Sequence, residues 1–363
     1  MQICRTTFRG RAAWEMDNDA LRVIVLVGGG HLASIKLRQG PALNPLWVTP
    51  WPTREPWTCK PESRLLSSIA GHNICLGQFG GPSAAEARAG LGGHGEAPVV
   101  RWRRVSQRVT GSTLHFVCAA DLPVAQLRIT RTFTTRRGER NLRVRDDVQN
   151  LSRRDLPYTA CQHVTIGPPF LEKGVTTIDM SATRGHTFPG RFSDRQRLKP
   201  DTAFTWPNAP GANGKPVDLR TIDPSFRKSS DFSTQLMNPR RADSAWFSAC
   251  NPKLGLLLAY HWNRADYPWL GNWEENFARR DAPWSGRSLA RGLEFANTPF
   301  PEGLRAAVDR GQFQGEPTYR WVPARGTVAT EFTILLMPLD SDAQGVADIR
   351  SADGMPVVTL RAG

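Results

Sequence analysis

Two alternating runs joined by a turn decide the fold class: Gln126-Leu-Arg-Ile-Thr-Arg-Thr-Phe-Thr-Thr135, the turn Arg137-Gly-Glu-Arg-Asn141, and Leu142-Arg-Val-Arg-Asp-Asp-Val-Gln-Asn-Leu151. In the first run, Leu127, Ile129 and Phe133 fall on one side of an extended chain, with polar residues between them. A period of two, interrupted at a glycine, is typical of antiparallel strands that bury one face. The stretch therefore predicts a β-hairpin.

The same pattern recurs along most of the chain. Further candidate strands are 112–122, 157–166, 174–183, 245–250, 254–262, 288–297 and 327–338. No amphipathic helical window of twelve or more residues interrupts them, which excludes an alternating strand–helix architecture. We therefore expect an all-β fold, a large antiparallel β-sandwich with few or no helices.

The domain organisation is predicted to be simple. No linker divides residues 1–363, so we expect one domain, with a long irregular loop region at about 184–241 where Pro and Gly are frequent. A G-x-G-x-x-A match at Gly28–Ala33 follows a strand-like run, but the next segment stops at Gly40-Pro41, too short for a crossover helix. Two strands joined at a glycine turn explain it better, and no nucleotide cofactor is expected.

Composition limits the possible partners. The net charge is +14, yet the basic residues are spread along the chain, and no zinc finger, helix-turn-helix or aromatic RNA-binding signature is present. We expect a solvated basic surface and no nucleic-acid partner. The six cysteines are far apart and no stretch reaches the ~18 apolar residues of a membrane span. These features predict a cytoplasmic protein with reduced cysteines and no membrane partner.

One carboxylate lies in a site-like environment near the C-terminal end of a predicted strand. Leu293 and Phe295 share one face of that strand and Glu294 occupies the other, before a rim loop at Pro299–Gly303 that cannot continue a central ladder. A carboxylate in such a place can meet a ligand. The alternative is an ion pair with the nearby Arg287 or Arg291.

Three histidines are the other candidate groups. His72, His94 and His163 lie in Ala-Gly-His-Asn, Gly-Gly-His-Gly and Cys-Gln-His-Val contexts. A lone histidine is more often structural than functional, and no pair has the spacing of a metal site. No nucleophile elbow is present either. The residues that remain indicate an acid–base site of histidine and carboxylate, without a metal.

At this point the sequence resembles the galactose mutarotases (aldose 1-epimerases) and their uncharacterised relatives on the same supersandwich fold. Four segments carry the resemblance, in order along the chain: 21–35 with its glycine turn, Leu91-Gly-Gly-His-Gly95 before Trp102, Val148-Gln-Asn-Leu-Ser152 leading to His163, and Leu293-Glu-Phe295 before Pro299-Phe-Pro301. They extend over about residues 15–340.

The resemblance implies residue roles. Glu294 would act as the base on the C1 hydroxyl, His163 as the acid on the ring oxygen, and His94 as a ligand of sugar hydroxyls. Where the family has an early arginine, this chain offers His72, and Asp266 is the best counterpart of the aspartate that clamps hydroxyls. Indoles stack on the apolar face of a sugar and polar groups meet its hydroxyls, which adds three candidates: Trp269, Trp273 and Asn272.

The resulting hypothesis is an aldose 1-epimerase-like mutarotase acting on a small sugar, with no cofactor and no metal. Two alternatives stay open. The different sequence after His163 favours a non-catalytic carbohydrate-binding protein, and the positive charge favours a mutarotase for phosphorylated hexoses that uses Arg191, Arg264, Arg287 and Arg291. The sequence leaves the particular sugar and the oligomeric state open.

Overall fold

A computed structural model describes residues 1–241, 243–340, 342–352 and 355–361. Half of the chain, 50%, is strand and 8% is helical, in large antiparallel sheets. The expected all-β sandwich is therefore confirmed. None of the helices in the described residues has the length and apolar character that a membrane crossing requires.

Strands account for most of the regular structure. The first ten along the chain are β1 Gln2–Phe8, β2 Arg11–Asp17, β3 Leu21–Leu26, β4 Leu32–Leu37, β5 His72–Gly77, β6 Arg103–Thr110, β7 Thr113–Leu122, β8 Leu127–Arg136, β9 Asn141–Asn150 and β10 Leu156–Ile166. The next ten are β11 Thr177–Met180, β12 Ala182–Thr187, β13 Ala203–Thr205, β14 Asn208–Pro210, β15 Pro216–Asp218, β16 Ser229–Met237, β17 Ala245–Asn251, β18 Leu256–Trp262, β19 Trp269–Asn276 and β20 Leu289–Ala296. The remainder are β21 Gln312–Phe313, β22 Glu316–Pro317, β23 Arg320–Val322, β24 Thr327–Pro338, β25 Val346–Ala352 and β26 Met355–Leu360.

Helices are short. The α-helices are α1 Arg64–Ser68, α2 Ala84–Arg88 and α3 Gly303–Arg310, and single 3-10 turns lie at Pro56–Thr58, Pro61–Ser63, Ala97–Val99 and Pro252–Leu254. A capping box starts α2, because the Ser83 hydroxyl accepts from the Glu86 N–H and the Glu86 carboxylate accepts from the Ser83 N–H. The helices lie in connections between strands.

Two large sheets form the sandwich. The first has the order β1-β2-β3-β4-β5-β10-β20-β19-β16-β12-β13-β14-β15, with β23 paired to β10, and the second has the order β11-β17-β18-β24-β9-β8-β7-β6. The predicted hairpin is confirmed as β8 and β9, whose antiparallel register joins Leu127 to Asn150. Leu127, Ile129 and Phe133 are buried in the apolar core of the sandwich.

Strand β10 places different sets of side chains on the two faces of the first sheet. Ala160, Val164 and Ile166 belong to the apolar core, whereas Cys161 belongs to a second apolar cluster on the opposite face. Because side chains alternate along a strand, His163 shares the face of Cys161. The second face is covered by α1 and by loops that carry Trp47, Trp51 and Trp284. These form a cap over the centre of the sheet.

The expectation of a long irregular loop at 184–241 is wrong in part. The region contains most of β12 and all of β13 to β16, and β16 is buried along its whole length. Its sequence, Ser-Ser-Asp-Phe-Ser-Thr-Gln-Leu-Met, does not alternate between apolar and polar residues as a strand with one solvent-exposed face does, because its polar side chains are buried too. Three-residue strands such as β13 give too short a pattern to recognise.

Candidate active site

The centre of the site is a histidine and a glutamate on neighbouring strands. In the antiparallel register of β10 and β20, His163 lies directly opposite Glu294. The His163 Nε2 and Glu294 Oε1 atoms are 3.2 Å apart, and both side chains are nearly buried. Residues opposite one another on adjacent strands have their Cβ atoms close together, so the sheet itself brings the two side chains into contact.

Two glycines leave room for the glutamate. A Cβ at Gly292 would overlap Oε1 of Glu294 and lie 3.0 Å from its Cδ, and a Cβ at Gly271 would lie 3.3 Å from the Glu294 Cβ. Gly271 is the partner of Glu294 in the β19–β20 register. The missing side chains allow the carboxyl group to lie flat against the sheet beside His163.

Burial sets the protonation of the pair. Desolvation raises the pKa of Glu294 well above its usual range, although the Arg279 charge acts in the opposite direction. Desolvation and the nearby His94 lower the pKa of His163 to about 3. Both shifts favour the uncharged forms. The directions of the two shifts favour a neutral His163 and place the transferable proton of the pair on Glu294.

Thr165 fixes the remaining nitrogen of the histidine. The Thr165 Oγ1 lies 3.2 Å from Nδ1 of His163, and both residues are on the same face of β10. When Glu294 is the acid, its hydroxyl donates to Nε2, and Nδ1–H then donates to the Thr165 hydroxyl. The Thr165 hydroxyl can also donate to Nδ1, so this contact accommodates the tautomer in which Nε2 is the basic nitrogen.

His94 completes a cluster with His163. It lies in the loop between α2 and the 3-10 turn at 97–99, with a backbone φ of +65°, in the left-handed region. Its N–H donates to the carbonyl of Gly80 at 2.8 Å. The His94 ring centroid is 5.5 Å from that of His163, nearly perpendicular to it, and its Nδ1 is 3.3 Å from the Sγ of Cys75. His94 thus presents its other nitrogen at the pocket.

The pair lies in a pocket of about 250 Å³ whose walls are mainly apolar, with three Phe and two Trp side chains among them. The Trp273 ring centroid is 6.2 Å from that of His163, and the Phe79 centroid is 6.5 Å from it. One cationic side chain, Arg279, stands on the wall. The lining residues are Leu65, Leu66, Ile69, Phe79, Gly80, Gly81, His94, His163, Phe192, Phe232, Trp273, Arg279, Trp284, Glu294 and Pro301. Such a cavity suits one small ring with an apolar face.

The structure brings four of the candidates named from sequence together: Glu294, His163, His94 and Trp273. Trp269 is on the same face of β19 but packs against Phe313, with ring centroids 5.6 Å apart, and does not line the pocket. Within the described residues its indole N–H has no hydrogen-bond partner. Trp269 therefore belongs to the packing around the pocket and not to its lining.

The expectation for His72 needs correction. His72 begins β5, and its ring packs against Tyr260 and Phe332 in the core between the sheets. Its Nε2 lies 3.0 Å from Oε1 of Gln162, on the side of the sheet away from the pocket. Burial lowers its pKa well below the usual range. Parity along β5 explains this placement, since His72, Ile74 and Leu76 share a face.

Asn272 and Asp266 also lie away from the pocket. Asn272 pairs with Leu293 across β19 and β20, on the core face, and its Oδ1 accepts from the Arg291 Nε at 2.7 Å. Asp266 lies in the turn between β18 and β19, where the charges nearest to it belong to Arg320 and Glu331. Neither can contact a molecule held beside His163.

Several pocket residues escaped the sequence interpretation. Phe79, Phe192 and Phe232 come from three distant segments, and Arg279 and Trp284 come from the loop after β19. Trp284 belongs to the tryptophan-rich content of the chain, but nothing local distinguishes it from core tryptophans. The glycine at 292, two residues before Glu294, was the one available signal, because small residues flank a side chain that must lie flat on a sheet.

The charged groups available for a metal or a second ligand are few. Across the described part of the chain, no group of three or more His, Cys, Asp and Glu side chains is arranged to hold a metal ion. The arginines proposed for phosphate are dispersed. Arg264 pairs with Glu316 and Arg291 donates to the carbonyl of Leu219, both outside the pocket. Arg191 lies beyond the pocket mouth.

Comparison with known proteins gives a family and a fold. The family model described as "Domain of unknown function (DUF4432)" matches residues 78–299. No curated protein matches the chain.

Three solved structures illustrate the likeness of fold. A protein of Klebsiella pneumoniae, provisionally named an aldose 1-epimerase, has a TM-score of 0.68 at 14% identity over 92% of this chain and 80% of its own. A galactose mutarotase-like protein of Clostridium acetobutylicum has a TM-score of 0.63 at 9% identity over 93% and 99%. A galactose mutarotase related enzyme of Lactobacillus acidophilus has a TM-score of 0.57 at 12% identity over 90% and 98%. The chain therefore has the galactose mutarotase-like fold.

Proposed function

We propose, from the premise that the chain belongs to the DUF4432 family, that it is a mutarotase that interconverts the α and β anomers of a small sugar. The observation that carries the proposal is the 3.2 Å contact between His163 Nε2 and Glu294 Oε1 at the base of the aromatic pocket. The names of the structural neighbours, aldose 1-epimerase and galactose mutarotase-like protein, support it.

The reaction needs one acid and one base beside the anomeric carbon. To open the ring, the C1 hydroxyl loses a proton, the C1–O5 bond breaks with its electron pair going to O5, and O5 gains a proton. C1 becomes a carbonyl carbon. After rotation about the C1–C2 bond, the O5 hydroxyl attacks the other face of C1, and the two proton transfers run in reverse.

The pKa shifts of the pair indicate the first roles. Because burial raises the pKa of Glu294 and lowers that of His163, we assign His163 as the base that accepts the O1 proton and Glu294 as the acid that protonates O5. This order is opposite to the one that the sequence resemblance implied. On ring closure the roles exchange, so the pair again holds a single proton at the end of a turnover.

The geometry suits two oxygens on one carbon. O1 and O5 are both bound to C1, so an acid and a base in contact with one another can reach both oxygens at once. Holding them in that arrangement makes a slow solution process effectively intramolecular. Trp273 offers an indole for the apolar face of the ring, and His94, which faces His163, offers a hydrogen bond to a hydroxyl.

The experiment is an exchange measurement by NMR between the α and β anomers of a panel of sugars, with the uncatalysed rate subtracted. We expect acceleration by the wild type and a loss of about 10²- to 10⁴-fold in Glu294→Gln and in His163→Asn. Glu331→Gln and His115→Asn are matched controls, since both residues lie on the second sheet, outside the pocket. They should leave the rate unchanged.

Absence of acceleration would overturn the proposal. If the wild type broadens the lines of a sugar without exchanging its anomers, and Glu294→Gln binds the same sugar, the pocket belongs to a carbohydrate-binding protein. Equal loss of rate in the control variants would show that the substitutions act on folding instead of on the reaction.

A further inference from the structure

Arg279 is the cationic side chain on the pocket wall, and it is held rigidly. Its guanidinium carbon lies 5.2 Å from the ring centroid of Trp273 and 4.9 Å from that of Trp284. The backbone N–H groups of Ala278 and Arg279 donate to Oε1 of Glu275 at 2.7 and 2.9 Å. Two indoles and an anchored loop therefore fix the position of this charge.

The terminal nitrogens of Arg279 remain available. Its Nε is 3.3 Å from Oε2 of Glu275, so that carboxylate covers the Nε side of the guanidinium. In the described residues no hydrogen bond connects its terminal NH₂ groups to the protein, and 39% of the side chain is exposed. Burial lowers the pKa of Arg279, against the charge of Glu275, which raises it. The terminal nitrogens of such a planar, fixed guanidinium can donate two parallel hydrogen bonds to an anion.

The pocket opens beside Arg279 into a second recess of about 790 Å³. The two cavities share Leu66, Arg279 and Trp284. Four arginines and two aspartates line the recess, so its charge is positive: Arg191, Arg195, Arg279, Arg280, Asp194 and Asp281. A negatively charged molecule that approaches the pocket is attracted along this path.

We infer that the sugar taken by this site carries a carboxylate on the side remote from its anomeric carbon, and that the terminal N–H groups of Arg279 bind it. The inference rests on the proposed function, because it places C1 at His163 and Glu294. Arg279 lines the same pocket as His163 and Glu294, so a small sugar with C1 at the pair can place its carboxylate against the guanidinium.

A carboxylate fits this arrangement better than a phosphate. The two terminal nitrogens of a guanidinium match the two oxygens of a carboxylate in a planar, bidentate pair. A phosphate carries more charge and commonly needs a second cation. Arg191 lines the recess, but its side chain is 74% exposed and already forms an ion pair with Asp194 at 2.8 Å. Arg279 alone is enough for a sugar acid.

The test compares D-glucuronate, D-galacturonate, D-glucose and D-glucose 6-phosphate in the anomer-exchange assay. We expect kcat/KM for a uronate to exceed that for glucose by about 10- to 100-fold, the worth of a charge-assisted hydrogen-bonded pair. Arg279→Gln should abolish this preference mainly through KM for the uronate, so that the uronate and glucose have similar kcat/KM values when both are measured with this variant. Arg279→Lys, which keeps the charge but loses the planar fork, should retain part of it.

The outcomes separate this inference from the proposed function. Exchange of glucose with no preference for a uronate, or a preference that survives Arg279→Gln, would leave the mutarotase and overturn the sugar acid. Preference for glucose 6-phosphate would also overturn it. If no sugar is exchanged, titration calorimetry decides: uronate binding that is tighter than glucose binding and weakened in Arg279→Gln supports the carboxylate, and equal binding overturns it. Arg108→Gln, on strand β6 of the second sheet, controls for net charge.

Discussion

The Glu294 carboxyl group occupies the space where a side chain at Gly292 would lie, two residues earlier on the same strand. A methyl group there would overlap Oε1, and the contact is with the end of a side chain, so the carboxyl group would turn away while the backbone stays. Glycine at this position therefore keeps the acid in reach of His163.

We accordingly expect Gly292→Ala to fold and to lose about 10²-fold in anomer exchange, since a misplacement of about 1 Å costs that much. The measurement is the NMR rate together with circular dichroism. Gly92→Ala is the matched control, because a Cβ at Gly92 meets nothing within 4 Å. An active Gly292→Ala variant would show that the carboxyl position is unimportant.

Glu294 should also make stability depend on pH. Its folded pKa is raised above the unfolded value, so between the two the native state holds more protons and the free energy of unfolding falls as pH rises. Glu294→Gln has no such proton. We expect the variant to be more stable than the wild type at pH 8 and equal to it below the unfolded pKa of about 4.

Urea denaturation of both proteins between pH 4 and pH 8 checks this difference. Glu331→Gln, whose side chain is 60% exposed, should follow the wild type at every pH. A difference between Glu294→Gln and the wild type that does not change with pH would contradict the assigned protonation.

Cys75 should act on the sugar through His94. Its Sγ is 3.3 Å from the His94 Nδ1, a contact that orients the ring. Cys75→Val introduces a side chain of similar size and removes the hydrogen bond, so KM should rise about 3- to 10-fold. Cys118→Val, in the core of the sandwich, should leave KM unchanged. A fall in kcat alone would argue against a binding role for His94.

Asp146 is expected to be important for folding. Its carboxylate accepts from the Arg131 Nε at 2.6 Å and Nη2 at 2.7 Å, and the pair is buried in the core. Asp146→Asn leaves a buried arginine without its counter-charge, which should lower the free energy of unfolding by about 3 to 5 kcal/mol. The neighbouring Asp147 pairs with the exposed Arg145, so Asp147→Asn should cost less than about 1 kcal/mol. Urea denaturation compares them, and equal losses would contradict the prediction.

The sequence predicts what depends on period and order. Alternation identified β8, β9 and β20, and it placed Leu293 and Phe295 on the face opposite Glu294 because strand periodicity is local. The same rule applied to β5 would have placed His72 in the core with Ile74. The Gly-His context concealed that it begins a strand.

Contacts between residues that are far apart in the sequence could not be predicted from periodicity. Arg131 interrupts an apolar face of its strand. Its burial is explained only by the hairpin register, which places Asp146 opposite it. Arg279 lies in a loop, and the fold of that loop brings its guanidinium against Trp273 of β19 and Trp284. Periodicity carries no information on such contacts, and the chain has many arginines from which to choose.

The cross-strand position of His163 and Glu294 has a bearing on how this pocket can change. The spacing of two hydrogen-bonded strands sets the distance between these two residues, and no loop contributes to it. Other parts of the pocket lining, such as α1 and the turn that carries Arg279 and Trp284, lie in connections between strands. Under the proposed function, substitutions and insertions in these connections would change which sugar binds while the positions of His163 and Glu294 stay constant, so specificity could evolve separately from the reaction.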